Sequence, residues 1–387
     1  MSNDSNSIKA DAWVAADSTF AAHCARRHVA LKGTFELTAR CNFNCKMCYI
    51  HMTDKEISSS GADELTTREW LKLAEDAIEN GTLHLLLTGG EPLLRSDFEE
   101  LYTEFCKMGF IVSINTNASL MNDRYYKLFS RYPPSSVAVT LYGADEDTYK
   151  SVCGNPDFFG QTIRGLQYWA EIPTNIEVRT TFIKDNMHQL DKLREIANRF
   201  TKTYAVNYMV FKAVPGVMSE VEQCRLSAKE CFDIRESNVL YYNKLNENNQ
   251  DKSQDEGFAD ISFDGLDKDD PKIRDDGMDV FPEILTCLAA KAAYWIRWDG
   301  KMLPCGSFVW PYSLPLVEGF KTAWDRLPEL LIDMKHPQKC IECVYYHNCP
   351  NCPAYLQMET GSFDEPADYV CDMAKERNTR HNRKVLS

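Results

Sequence analysis

The stretch "ELTARCNFNCKMCYIHM" (residues 36–52) closes a strand-like run and then sets Cys41, Cys45 and Cys48 in a C-x3-C-x2-C pattern. Three thiols on one loop do not complete a structural tetrahedral zinc site, which takes four protein ligands. They can hold a cubane iron–sulfur cluster and leave its fourth iron open to another ligand. The spacing also admits a zinc site completed by His51 or by a residue from elsewhere in the chain.

Working outward from this loop, short apolar or β-branched runs alternate with helix-period segments from about residue 33 to residue 212. Strands are predicted at "GTFELT" (33–38), "HLLLT" (84–88), "FIVSIN" (110–115), "SVAVTL" (136–141), "IEVRTTFI" (176–183) and "YAVNYMVF" (204–211). Thr66 and Glu69 have capping-box spacing, and Trp70, Leu71, Ala74, Ala77 and Ile78 then recur at helical spacing before Gly81. Further helices are predicted at 97–108, 122–129, 159–170 and 189–200.

Repeated βα units with near-continuous apolar strands imply a parallel sheet covered by helices. Six such units form either a partial barrel or an open doubly wound sheet. In both architectures functional groups gather where strands end. The unusual motifs sit there: the cysteines follow the first strand, "TGGEP" (88–92) the second, "NTN" (115–117) the third, and "TLYG" (140–143) closes the fourth. Gly89 and Gly90 permit close backbone approach, and Glu91 offers a carboxylate suited to a ligand ammonium.

Beyond these units lies an acidic stretch. Between Glu247 and Asp279 twelve Asp or Glu stand against four Lys or Arg, a net of −8. That composition reads as a solvated connector, and its aspartates do not have the spacing of an EF-hand loop. From about residue 284 the character changes, with Cys287, Cys305, Cys340, Cys343, Cys349, Cys352 and Cys371 marking a second, cysteine-rich domain. The organisation expected is an N-terminal extension to residue 30, a barrel over 31–215, a helical and acidic connector over 216–283, the cysteine-rich domain over 284–373 and a short tail.

The whole chain has 387 residues, 44% of them hydrophobic, enough for a large domain and a smaller one. No run approaches the roughly 18 apolar residues of a membrane span, and no export signal precedes the fold, so a cytoplasmic location without membrane partners is expected. Fifteen cysteines then read as metal ligands rather than as disulfides. A net charge of −14 argues against a nonspecific nucleic-acid binder. Cys24, Cys106, Cys153, Cys224 and Cys231 lack ligand spacing and read as small buried hydrophobes.

The cysteine run after strand one together with "GGEP" after strand two resembles the radical S-adenosylmethionine (SAM) enzymes. The resemblance implies a 4Fe-4S cluster on Cys41, Cys45 and Cys48, whose open iron is chelated by the amino and carboxylate groups of SAM. One electron then cleaves the sulfonium to a 5'-deoxyadenosyl radical that takes a hydrogen atom from substrate. It further implies that Gly89, Gly90 and Glu91 meet the methionyl amine, that Met47 lies near the adenine, and that Thr140 approaches the ribose or carboxylate. Asn117 and Arg179 are additional cofactor candidates, although strand alternation leaves open whether Arg179 faces the cofactor or solvent.

The C-terminal pattern is similar to the SPASM domain. In it Cys287 is followed by Gly300, Cys305 and a C-x2-C-x5-C-x2-C run from Cys340 to Cys352, and Cys371 comes last. The resemblance implies two auxiliary 4Fe-4S clusters, a distal one on Cys340, Cys343, Cys349 and Cys371 and a proximal one on Cys287, Cys305 and Cys352. A zinc ribbon or treble clef at 340–352 is the alternative. The last run has x2 where the family has x3, and the segment "DVFPEILT" (279–286) just before Cys287 contains no cysteine where full ligand sets have one, so the proximal cluster is expected to have an open iron or to take Asp279, Glu283 or a substrate atom.

The fold expected is therefore α/β, a partial (β/α)6 TIM-like barrel followed by a small SPASM domain. Members of that group mostly modify peptides or proteins. Gly306 stands where sulfatase maturases carry their acidic residue, which argues against that activity. The function expected is peptide maturation by thioether or carbon–carbon crosslinking or by residue oxidation, with a flavodoxin- or ferredoxin-like reducing partner. About 30 residues precede the barrel, too few for a winged-helix peptide-recognition domain, so a separate recognition protein or the barrel mouth would capture the peptide. A small-molecule dehydrogenase or epimerase is the alternative within the superfamily, and a noncatalytic zinc or iron–sulfur protein the alternative outside it.

Overall fold

Alternation within the first strand, β1 (Lys32–Glu36), divides it into two faces. Phe35 is fully buried against Trp70 and Phe105, with ring centroids 5.0 and 5.8 Å away, whereas Thr34 on the opposite face is only half-buried. The other barrel strands are β2 (His84–Thr88), β3 (Ile111–Thr116), β4 (Ser136–Thr140), β5 (Asn175–Thr181) and β6 (Thr203–Asn207), and β2 and β3 alternate in the same way. In the computed structural model, which describes residues 19–249 and 285–385, all six strands pair in parallel.

Their order across the sheet is the order of the sequence, β6-β5-β4-β3-β2-β1. A doubly wound sheet reverses direction at a switch point, and this one does not. The arrangement is the partial barrel of the two sequence alternatives. Helices α1 (Asp54–Ser60), α2 (Thr67–Glu79), α3 (Phe98–Met108), α4 (Asp123–Arg131), α5 (Glu146–Cys153), α6 (Asp157–Ala170) and α7 (Leu190–Ala197) form the crossovers. Register partners Phe35, Leu87, Ile114 and Val137 make one continuous apolar stripe under them.

Capping begins two of these helices in the same way. Thr66 and Glu69 close a reciprocal capping box on α2, and Thr53 and Glu56 do so on α1; caps of this kind stabilise a helix by about 1 kcal/mol. The buried face of α2 is Trp70, Leu73, Ala74 and Ala77, so Leu73 takes the core position while Leu71 and Ile78 lie half-buried at its margin. Helices α1 and α5 have no counterpart in the sequence reading.

Two more strands extend the sheet beyond β1. β7 (Ala293–Ile296) pairs in parallel with β1, and β8 (Met302–Leu303) pairs antiparallel with β7. The "WDGKMLPCG" segment is thus the turn and return of a hairpin joined to the barrel sheet, making it eight-stranded. After β6 comes α8 (Ala228–Asn249); after β8 come α9 (Phe320–Leu331), α10 (Pro353–Thr360) and α11 (Asp368–Val385). The segment read as a tail continues α11, where Arg380 pairs with Asp233 at 2.7 Å and with Glu236 at 2.5 Å on α8. From residue 250 the acidic stretch lies outside the described residues, as do Asp279 and Glu283.

Candidate active site at the strand ends

The loop after β1 carries Cys41, Cys45 and Cys48 and is clamped from two sides. From the β2 side, Gly90 N donates to Thr38 O at 2.8 Å and Glu91 N to Arg40 O at 2.9 Å. The backbones approach so closely that a Cβ on Gly90 would sit 2.3 Å from the Arg40 carbonyl oxygen, and one on Gly89 2.5 Å from that of Thr38. These glycines are required by the cysteine loop itself. From the β4 side, Asn44 N and Lys46 N donate to the carbonyls of Cys153 and Val152, at 3.2 and 3.0 Å.

Glu91 is completely buried and ties the next loop to this one. Its carboxylate accepts from Thr116 Oγ1 at 2.8 Å, Asn117 N at 2.7 Å and Leu93 N at 3.1 Å. Burial pushes its pKa up to about 7 against the opposing pull of these donors. With three bonds made inside the protein, Glu91 ties the loop after β2 to the loop after β3 through its side chain. Asn117 is wedged beside it, with Nδ2 at 3.0 Å from Asn42 Oδ1 and 3.8 Å from Cys41 Sγ. Met47 is buried within the loop.

The face of the sheet opposite the helices is polar. Ser136 Oγ donates to Ser113 Oγ at 2.9 Å, and Arg179 pairs with Glu177 and reaches Asn115 Oδ1 at 3.4 Å. Arg179 is the register partner of half-buried Thr140. Its contact across β4 with Asn115 places the guanidinium over the polar face of the sheet. Glu36 stands on the same face at the end of β1, 2% exposed, where Trp295 Nε1 donates to Oε2 at 2.9 Å. Burial raises its pKa to about 7, only partly offset by Arg297 and the indole.

The ten cysteines of the sequence motifs collect into three groups within which the thiols influence one another electrostatically. Cys41 senses Cys45 and Cys48; Cys305 senses Cys352 and Cys287; Cys349 senses Cys371, Cys340 and Cys343. Burial raises most of these thiols, Cys48 to about 11 and Cys305 to about 12, so they become thiolates only against a compensating positive charge.

Backbone N–H groups already point at the sulfurs. Phe43 N lies 3.4 Å from Cys41 Sγ, His51 N 3.3 Å from Cys48 Sγ and Tyr345 N 3.5 Å from Cys343 Sγ. Ser307 and Phe308 serve Cys305, Asn351 serves Cys349, and Ala354 and Tyr355 serve Cys352. Such donors are what iron-bound thiolates accept, and the donor set fits iron–sulfur clusters. Among the described residues no three His, Cys, Asp or Glu side chains converge tightly enough for one metal ion. A four-iron cube spreads its thiolates over separate irons and asks for no such convergence.

Cys153, which sequence spacing leaves among the buried hydrophobes, is 1% exposed but has its Sγ 3.7 Å from Cys45 Sγ. Tyr142, inside the "TLYG" segment, senses Cys45, Cys153, Cys48 and Cys41. Neither has a local pattern that connects it to the cysteine loop.

A parallel α/β partial barrel with this rim defines a class, and comparison with known proteins agrees. Residues 35–197 match the Radical SAM superfamily. A domain of this family implies a 4Fe-4S cluster and SAM. An AdoMet-dependent heme synthase of Methanosarcina barkeri is 25% identical over 359 residues, 87% of this chain and 94% of that one. The antilisterial bacteriocin subtilosin biosynthesis protein AlbA of Bacillus subtilis is 25% identical over 181 residues, 46% of this chain and 39% of AlbA. The fold is similar to that of Streptococcus suis SuiB bound to S-adenosylmethionine, with a TM-score of 0.64 and 18% identity over 89% of this chain and 77% of SuiB. Among the described residues no helix is long and apolar enough to cross a membrane.

Proposed function

We propose that this chain reductively cleaves SAM at a cluster held by Cys41, Cys45 and Cys48 and uses the resulting radical to modify a peptide or protein side chain. The carbonyls of Gly89 and Gly90 take the methionyl ammonium, Thr140 and Arg179 the carboxylate or ribose, and Met47 the adenine edge. Glu91 and Asn117 hold these loops in register. Cys287, Cys305 and Cys352 carry a proximal auxiliary cluster and Cys340, Cys343, Cys349 and Cys371 a distal one, in a SPASM-type domain. Those clusters exchange the electron that balances product formation, and a flavodoxin or ferredoxin supplies reducing equivalents.

The observation that carries this reading is the separation of the ten cysteines into three groups, the first at the strand rim beside the glycine turn. The three-cysteine proximal set leaves an iron for a substrate thiolate. The relation to AlbA supports a peptide substrate. Anaerobic reconstitution should give iron and sulfide for three four-iron clusters, and dithionite with SAM should yield 5'-deoxyadenosine. No 5'-deoxyadenosine under strong reduction overturns the radical reading, and normal modification of a cysteine-free substrate peptide overturns thioether formation.

A second reading, heme synthesis, follows from the heme synthase relatives that align over nearly the whole chain. Conversion of an iron–porphyrin precursor to heme, with inertness toward candidate peptides, would establish it in place of the first.

A further inference from the structure

Cys45 is solvated differently from its two neighbours in the cysteine loop. Cys41 and Cys48 each receive a backbone N–H, from Phe43 and His51. Cys45 instead faces the Cys153 thiol at 3.7 Å and the Tyr142 hydroxyl. Both side chains come from the β4–α5 crossover.

Cys153 is held there firmly. It is the last residue of α5, followed by Gly154 in the left-handed region at φ 86°. The carbonyls of Val152 and Cys153 accept Lys46 N and Asn44 N, and Lys46 Nζ reaches Asp185 at 2.8 Å and Ser151 Oγ at 3.3 Å. The end of α5 is thus bolted to the loop on both sides of Cys45. Among the described residues Cys45 is the only hydrogen-bond partner of the Cys153 thiol.

A metal-bound thiolate cannot donate, so with Cys45 ligated the bond must run from Cys153 S–H to Cys45 S. We infer that Cys153 is a positioning residue for the first cluster, whose thiol, with the Tyr142 hydroxyl, supplies to Cys45 the hydrogen bonds that backbone amides supply to Cys41 and Cys48. Donors on ligand sulfur withdraw charge and favour the reduced cluster. The pair therefore sets how easily the cluster accepts the electron that it passes to SAM. This inference rests on the proposed assignment of Cys41, Cys45 and Cys48 as cluster ligands.

The test is an anaerobic redox titration of the full-length holoprotein, following the electron paramagnetic resonance signal that shifts when SAM is added. C153A should keep its iron content and show a more negative midpoint potential than the wild type. C153S restores a donor and should return the midpoint to the wild-type value or above it. Y142F should move it in the same direction as C153A, and C153A/Y142F further than either.

Equal midpoints in wild type and C153A overturn the inference, as does a C153S midpoint as negative as that of C153A, which marks Cys153 as a packing residue. If C153A fails to assemble the cluster, C153S and Y142F decide: a Y142F midpoint at the wild-type value overturns it. Failure of the ligand assignment is distinguishable, because the wild type itself would then lack a SAM-shifted signal.

Discussion

Replacing Glu36 with Gln should make stability less dependent on pH, because it removes an ionisation that the fold opposes. The carboxyl is 2% exposed with one hydrogen-bond donor, Trp295 Nε1, and burial lifts its pKa from 4.5 to about 7. An acid whose folded pKa lies above its unfolded one binds its proton more tightly in the native state. Stability is then fully retained below about pH 4.5, falls as pH rises toward 7, and is level above it. At about 1.4 kcal/mol per pKa unit, the loss between pH 5 and pH 8 is about 2.5 kcal/mol. Gln keeps the shape and the acceptor for the indole and has no proton to lose. Urea unfolding of wild type and E36Q at pH 5 and pH 8, in the same cluster state, should show the variant gaining about 2.5 kcal/mol on the wild type between the two values. A difference that is the same at both pH values would refute the reasoning and mean that Glu36 ionises as it does in water.

Other perturbations address the clamp and the cysteine groups. G90A places a Cβ 2.3 Å from the Arg40 carbonyl oxygen, a backbone atom that cannot step aside; a cost of about 1–3 kcal/mol and impaired cluster assembly should appear in thermal unfolding and iron content. E91A strands the Thr116 hydroxyl and the N–H groups of Asn117 and Leu93. Each stranded buried donor costs about 1–3 kcal/mol, so E91A should be the most destabilised single variant in the rim by calorimetry. C305S should remove one cluster's worth of iron and leave the SAM-responsive signal, measured by iron assay and paramagnetic resonance. The same loss of iron from every group in C305S would show that the three cysteine sets do not assemble independently.

Much of the barrel was legible because its signals are local. Strand β2 falls on its "HLLLT" run, and the box at Thr66 and Glu69 marks the start of α2. Helix α1 was equally legible in principle, since Thr53 and Glu56 repeat that spacing. Helix α5 spans only eight residues, with Tyr149, Val152 and Cys153 as its apolar turn, too few to stand out by periodicity. Strands β5 and β6 run shorter than their apolar runs: Phe182, Ile183 and Val210 are core residues after the chain has left the sheet. In the site, residue types at fixed spacing gave the cysteine loop and the glycine turn. What spacing could not give is pairing across the fold. Cys153 meets Cys45 over 108 positions of sequence, and Trp295 meets Glu36 over 259. The internal bonds of Glu91 were likewise hidden, because Thr116 and Asn117 reach its carboxylate from the next loop, 25 and 26 positions away.

The unbroken strand order has a consequence for where this architecture can change. Because β6 ends the sheet on one side and β7 begins beyond β1 on the other, the chain between Asn207 and Ala293 must travel from one margin of the sheet to the other. No strand pairing depends on the length of that passage. Its first part is nevertheless tied to the rim, because Val214 N and Glu220 N donate to the carbonyls of Tyr49 and Lys46 in the cysteine loop at 3.1 and 2.8 Å, so a change of length before residue 220 would pull on the cysteines themselves.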